Sequence, residues 1–281
     1  MEEIIINGKA LYTPKGSARE YAAVGCNFYT GCPHNCSYCY LKRGVLSKQL
    51  GGTDVQLKKC FANEEDALLK FKNECDKYID HLRVVGIFFS FSTDPMLKET
   101  SLLTMKAAMI AINLDIPVMI LTKCADVPFS VNLLINSICM MKRHLISFGF
   151  TLTGRDDMEP GASPNEDRID AMRRLKKLGF KTWASIEPII DFDSSLSVIE
   201  KSIRWCDHYK IGLRSGVSKD YYDLDELTRF VCDVNHEVLV VKRDYARSPT
   251  VYWKESVKKV CKIPHVYPGY WDSVVGKDYI W

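Results

Sequence analysis

The feature that most constrains this chain is a regular alternation of two apolar patterns. Apolar, β-rich runs recur at Tyr21–Tyr29, Val84–Phe91, Pro117–Thr122, Leu145–Thr153, Lys181–Ile190, Tyr209–Leu213 and Glu237–Val241. Helix-like segments lie between most of them, at Glu65–Leu82, Leu102–Asn113, Pro164–Leu178 and Ser194–Trp205. Such alternation builds βαβ units around a parallel sheet. This many units predict an α/β barrel, closed or incomplete, rather than a short open sheet. On such a barrel the chemistry gathers at the C-terminal ends of the strands.

One helix start is legible in detail. Ser163-Pro164-Asn165-Glu166 has the form of a capping box, with Ser163 at N-cap, Pro164 at N1 and Glu166 at N3. An apolar stripe follows at Ile169, Met172, Leu175 and Leu178, and Gly179 supplies the stop. This reading gives Ser163 and Glu166 no chemistry.

Composition narrows the compartment and the partners. With 47% hydrophobic and 26% charged residues, the 281-residue chain is globular rather than disordered or collagen-like. No stretch reaches the roughly 18 uncharged apolar residues of a membrane helix. The N-terminus, MEEIIINGK, lacks an apolar signal segment, so no membrane and a cytoplasmic location are expected. Eleven scattered cysteines fit a reducing compartment and thiol or metal chemistry. The net charge of +3 is unevenly placed: residues 242–281 hold eight Lys/Arg and four Asp/Glu, leaving −1 for the remainder. The same tail holds eight of the 31 aromatic residues. The expected division is therefore residues 1–215 as the barrel with its lead-in, and 216–281 as a basic, aromatic C-terminal extension packed on it. Oligomeric state leaves no mark in the sequence.

The strongest chemical signal is Cys32-Pro33-His34-Asn35-Cys36-Ser37-Tyr38-Cys39-Tyr40, a C-x3-C-x2-C triad just after the first predicted strand. Three thiolates on one tight loop would each hold an iron of a [4Fe–4S] cluster and leave the fourth iron without a protein ligand. S-adenosylmethionine offers that iron an amino group and a carboxylate. An electron passed into its sulfonium would release a 5′-deoxyadenosyl radical able to abstract hydrogen. Tyr38, just before the last cysteine, is placed to lie against the adenine. Zinc is the alternative, but it normally takes two short ligand pairs. Here the extra candidates are only Cys26 and His34, and no second C-x2-C pair exists.

The triad and its flanks resemble the radical S-adenosylmethionine superfamily, and within it the branch related to spore photoproduct lyase, often labelled "DNA repair photolyase". Pro14-Lys15-Gly16, Glu20-Tyr21-Ala22, Asn27-Phe28-Tyr29-Thr30-Gly31-Cys32, Glu159-Pro160-Gly161-Ala162-Ser163 and Asp167-Arg168-Ile169 carry the likeness, in patches over about residues 10–215. The resemblance implies a partial (β/α)6 TIM-like barrel, a [4Fe–4S] cluster, S-adenosylmethionine and an electron donor such as flavodoxin or ferredoxin.

It also gives roles to several strand ends. Ser92-Thr93-Asp94-Pro95 stands where the superfamily holds the methionine amino group, and Lys123 where the branch meets the methionine carboxylate. A lysine at that point forms a charge-assisted bond to such a group. Strand alternation then turns Cys124 away. Thr151 shares a face with Thr153 and Ser147 and is the hydroxyl chosen for a cofactor contact. Glu187 is a charge inside the apolar run 183–190, so it either reaches a ligand or emerges at the strand end, because a lone buried carboxylate is costly. Glu159 and Arg155 are weaker candidates, read equally as a surface pair.

The substrate is open. Spore photoproduct lyase has a hydrogen-donating cysteine before its Ser/Thr-Asp stretch, where this chain has Phe91. Tyr40 matches a tyrosine of the lyase motif and is the weak catalytic candidate, with packing under the loop as its other reading. The tail interleaves Tyr245, Tyr252, Trp253, Tyr267, Tyr270, Trp271, Tyr279 and Trp281 with Lys242, Arg243, Arg247, Lys254, Lys258, Lys259, Lys262 and Lys277. Stacking rings beside cations suit single-stranded nucleic acid, but the same residues suit packing across the barrel's open side. A nucleic-acid base or nucleotide, and a small metabolite or peptide, are the two substrate classes carried forward. A cluster- or zinc-binding module without radical chemistry is the third reading.

Overall fold

The computed structural model describes residues 4–44, 47–245 and 249–261. Its strands are β1 (Leu11–Tyr12), β2 (Gly25–Cys26), β3 (Tyr29–Thr30), β4 (Gln56–Leu57), β5 (Ile87–Phe89), β6 (Val118–Thr122), β7 (Ile146–Thr151), β8 (Lys181–Ile189), β9 (His208–Leu213) and β10 (Thr250–Trp253). Its helices are α1 (Ser47–Leu50), α2 (Glu64–Lys77), α3 (Ile79–Val85), α4 (Ser101–Asn113), α5 (Phe129–Ser137), α6 (Asn165–Lys177), α7 (Phe192–Ser202), α8 (Leu224–Tyr245) and α9 (Glu255–Lys258). One eight-stranded sheet runs β1-β2-β5-β6-β7-β8-β9-β10, while β3 and β4 pair separately. Only β1 is antiparallel in the large sheet; every later neighbour is parallel. Helices α4 to α8 each follow one strand, so the expected α/β, partial TIM-like barrel is present.

Strand alternation sorts the side chains. Ile87, Phe89, Val118, Ile120, Phe148, Phe150, Ala184, Ile186, Tyr209 and Ile211 pack in the main core. Their neighbours Phe88, Met119 and Trp183 form a second cluster with Tyr21. Gly149 makes that second cluster fit: a Cβ there would lie 2.1 Å from the Trp183 ring. The sheet ends at β1 and β10, and the lead-in fills the seam. Tyr252 donates to Glu20 (3.3 Å), the Glu255 amide donates to the same carboxylate (2.8 Å), and Lys210 donates to the carbonyls of Glu20 and Tyr21 (2.9 Å each).

Two expectations are corrected. Glu237–Val241 is not a strand but part of α8. Leu227, Phe230, Val231, Val234, Val238 and Val241 are all buried, so a helical spacing of three and four overrides the β-propensity of valine. The strand beside β9 is β10, further along the chain. The capping box also does not form. Pro164 holds the N-cap position, the Ser163 hydroxyl accepts from the Ala125 amide (2.9 Å), and Glu166 pairs with Lys201. Ser163 is pulled into the loop after β6 instead, where its own amide donates to Lys123 (3.1 Å). Gly179 does end the α6 region, at φ +85°.

Candidate active site

The cysteine loop leaves β3 through Gly31, whose φ of +81° and proximity to the Asp54 carbonyl (2.0 Å from a Cβ) require glycine. Cys36 is buried, Cys32 and Cys39 are part-exposed, and Cys36, Tyr38 and Ile190 pack together with Cys39 and Met158 against them. Backbone bonds pin the loop from two sides: the Cys32 amide donates to Gly52 (2.9 Å) and the Ser37 amide to Met158 (3.0 Å). Burial pushes the Cys32 thiol up to about 11, while the backbone amides of His34 and Asp94 and the nearby Lys123 act in the opposite sense. Those amides and that ammonium are the partners a bound thiolate needs.

Two side-chain networks hold the loop. His34 places Nδ1 against the Gly161 carbonyl and Nε2 against Asp94, each at 2.8 Å. Asp94 also accepts from Met96 (2.9 Å), Thr122 (2.7 Å) and the Lys123 amide (2.6 Å). Burial would raise its carboxyl, but His34 and these donors bring it down to about 2. In the second network the Tyr38 hydroxyl donates to buried Glu159, which pairs with fully buried Arg168. Arg168 in turn donates to the carbonyls of Thr151 (2.6 Å) and Ser163 (2.7 Å). Glu159 and Arg155 are thus not a pair: Arg155 binds Asp157 and Asp191 at the surface.

The other candidates fall as follows. Lys123 brings its ammonium 5.6 Å from the Tyr38 ring centroid, and although burial lowers its pKa, Cys36 and Glu159 hold it above the ordinary value. Cys124 lies with its sulfur 3.7 Å from His34, behind the loop. Ser92 donates to the Tyr29 carbonyl (2.6 Å) and Thr93 to the Gly31 carbonyl, so both side chains brace the cysteine loop. Thr151 is buried on the strand that Arg168 clamps. Glu187 is not isolated: it accepts from Lys254 (2.7 and 2.9 Å) and from Tyr21, which also bonds Ser185 (2.7 Å). Tyr40 is 55% exposed and donates to the Phe91 carbonyl.

His34, Asp94 and Cys124 place ligand-type atoms within 4.8 Å of one another, but His34 faces these partners and not the triad. Cys26 is buried in the main core, among Phe28, Phe71 and Cys75. Neither extra zinc candidate therefore completes a four-ligand set with the three cysteines.

Sequence reasoning missed the parts of the site that span long separations. Tyr21 and Lys254 stand in the sequence only as part of the lead-in and of the tail cations, and Lys210 is unmarked; all three meet around Glu187 across the barrel seam. In the tail, Trp253 is buried against Phe230, and Tyr252 sits under Lys258 (5.0 Å). The structure of Arg247, Lys262, Tyr267, Tyr270, Trp271, Lys277, Tyr279 and Trp281, and the side chain of Tyr245, lie outside the described residues.

A cysteine loop braced by buried polar networks at the C-terminal mouth of a partial barrel defines a class. The sequence pattern of the Radical SAM superfamily matches residues 26–206, and the chain belongs to that superfamily. Its fold is similar to that of spore photoproduct lyase complexed with dinucleoside spore photoproduct: TM-score 0.61, 14% identity, covering 86% of this chain and 78% of that one. A doubly substituted spore photoproduct lyase with bound AdoMet and dinucleoside spore photoproduct gives TM-score 0.61 at 15% identity with the same coverage. Streptococcus suis SuiB bound to S-adenosylmethionine gives TM-score 0.51 at 13% identity, covering 80% of this chain and 48% of that one. Comparison with curated protein sequences finds no match. No helix among the described residues is long and apolar enough to cross a membrane.

Proposed function

We propose that this enzyme holds a [4Fe–4S] cluster on Cys32, Cys36 and Cys39 and reductively cleaves S-adenosylmethionine to act on a nucleic-acid base or nucleotide. When bound, these groups supply one-electron cleavage of the sulfonium and abstraction of a substrate hydrogen, leaving methionine and 5′-deoxyadenosine. Superfamily membership supports the cofactors; the observation that carries the site is three thiols on one braced loop with a part-buried lysine, Lys123, beside them.

The chain's own residues then divide the work. Lys123 meets the methionine carboxylate, and the main chain of Ser92 and Thr93 meets its amino group. Tyr38 presents its ring while its hydroxyl is held by Glu159, which fixes where the ring points. Thr151 supplies a hydroxyl and Glu187 an acceptor on the inner wall. Asp94, whose carboxylate already has four donors, acts as a positioning residue rather than a ligand contact. Tyr40, more than half exposed beside the cysteine loop, is the candidate to relay a hydrogen atom. Residues 1–215 form the catalytic barrel and 216–281 its extension, in a cytoplasmic protein reduced by a flavodoxin or ferredoxin. The dinucleoside spore photoproduct bound in the similar lyase structures supports the nucleic-acid class over a small metabolite or peptide.

The test is spectroscopic. The reduced, iron-loaded enzyme should change its electron paramagnetic resonance signal when S-adenosylmethionine is added, and Lys123→Met should need at least ten times more cofactor for the same change. An unchanged signal in the unsubstituted enzyme contradicts the proposal.

A further inference from the structure

Two cavities among the described residues differ in charge. One, of about 350 Å³, is lined by Asp191, Asp193, Asp223, Glu226 and Asp233. The other, of about 530 Å³, opens between the lead-in and the turn after Cys39, and its lining has no carboxylate. Its volume suits one small ligand. Tyr40 and Ser92 reach it directly from Cys39 and Thr93, so an occupant lies beside the cysteine loop.

The lining of this second groove sets tethered aromatic rings among apolar residues, with two cations at its edge. Tyr40 is more than half exposed yet tethered through its hydroxyl to Phe91, so its ring is held. Asn27 ties the opposite side together, donating to the Tyr12 hydroxyl (2.7 Å) and accepting from the Phe91 amide (2.8 Å). Lys15 and Arg43 supply positive charge, and Arg43 is anchored by a 2.7 Å bond to the Ser215 carbonyl. Fixed aromatic rings beside cations stack a base and meet a phosphate.

Resting on the radical reading above, we propose that this groove binds a free nucleoside monophosphate, its base against Tyr12 and Tyr40 and its phosphate between Lys15 and Arg43. A monomer is favoured over a strand because a strand needs a track of cations and rings. In the described part of the tail, Trp253 is buried in the seam instead and Tyr252 is half-buried there.

The experiment is equilibrium dialysis of the iron-loaded enzyme against the common nucleoside 5′-monophosphates, the matching nucleosides and a short single-stranded DNA. At least one monophosphate should bind, with its nucleoside about tenfold weaker. Lys15→Glu should weaken the monophosphate by about tenfold, and Tyr40→Leu by roughly 5- to 100-fold. Binding of nucleoside and monophosphate with equal affinity overturns the proposal, as does tighter binding of the DNA that ignores Lys15→Glu. Iron content and 5′-deoxyadenosine release are read on the same preparation. An enzyme that cleaves S-adenosylmethionine yet binds no monophosphate refutes the groove alone and leaves the radical reading standing.

Discussion

Two buried charged networks sit at the strand ends, and they are assembled in different ways. At the cysteine loop, Tyr38–Glu159–Arg168 and His34–Asp94 join the segment around residues 34–38 to the loops after β5 and β7. At the seam, Tyr21, Glu187, Lys210 and Lys254 join the lead-in to β8, β9 and the C-terminal extension. The first network fixes the residues that would carry the cluster. The second keeps a partial barrel shut where hydrogen-bonded strand pairing is missing. Each satisfies its charges internally, which is the condition for burying them at all.

The largest expected effect falls on the cysteine loop itself. Cys36→Ala should lose cluster iron and all S-adenosylmethionine cleavage while the folded far-ultraviolet spectrum persists; full iron with retained cleavage would break the ligand assignment. Arg168→Met strands the Glu159 carboxylate and should cost about 3–5 kcal/mol in urea denaturation. Lys254→Met should cost somewhat less, on the order of 3 kcal/mol, because Glu187 keeps Tyr21 and some solvent. Adding Glu187→Gln to Lys254→Met should recover much of that loss; no recovery would mean the pair is not what closes the seam.

A pH dependence sharpens the contrast. Burial and the neighbouring Lys254 lower the pKa of Lys210 to about 7, against 10.5 for an ordinary lysine. Between those values the unfolded chain binds the extra proton, so stability rises with pH there. Relative to Lys210→Met, the unsubstituted protein should therefore gain stability from about pH 7 upwards. A flat difference would show that Lys210 stays charged on its two carbonyl acceptors. The smallest effect is expected at Arg155→Ala, whose exposed partners should leave the denaturation midpoint essentially unmoved.

The same contrast explains what the sequence could reveal. The cysteine spacing and the strand-end positions of Ser92, Lys123 and Thr151 are local signals, legible because period and spacing survive in one dimension. Glu187 was visible as a charge in an apolar run, but its partner Lys254 is 67 residues away. Glu159 reads equally as a site residue or a surface partner of Arg155, because nothing in its own loop shows that Arg168 folds back over it. Valines in α8 imitate a strand because a short β-branched run shows its propensity, while the three-and-four spacing of Leu227, Val231, Val234, Val238 and Val241 emerges only over the whole helix. In each miss, the deciding interaction joins elements that only the closed barrel brings together.

The most direct test of the central claim is anaerobic. The protein is reconstituted with iron and sulfide, both are counted, and 5′-deoxyadenosine is measured after adding reductant and S-adenosylmethionine. About four irons per chain with 5′-deoxyadenosine formed is the predicted result. A bound zinc ion, or a full cluster that never cleaves S-adenosylmethionine, would contradict it.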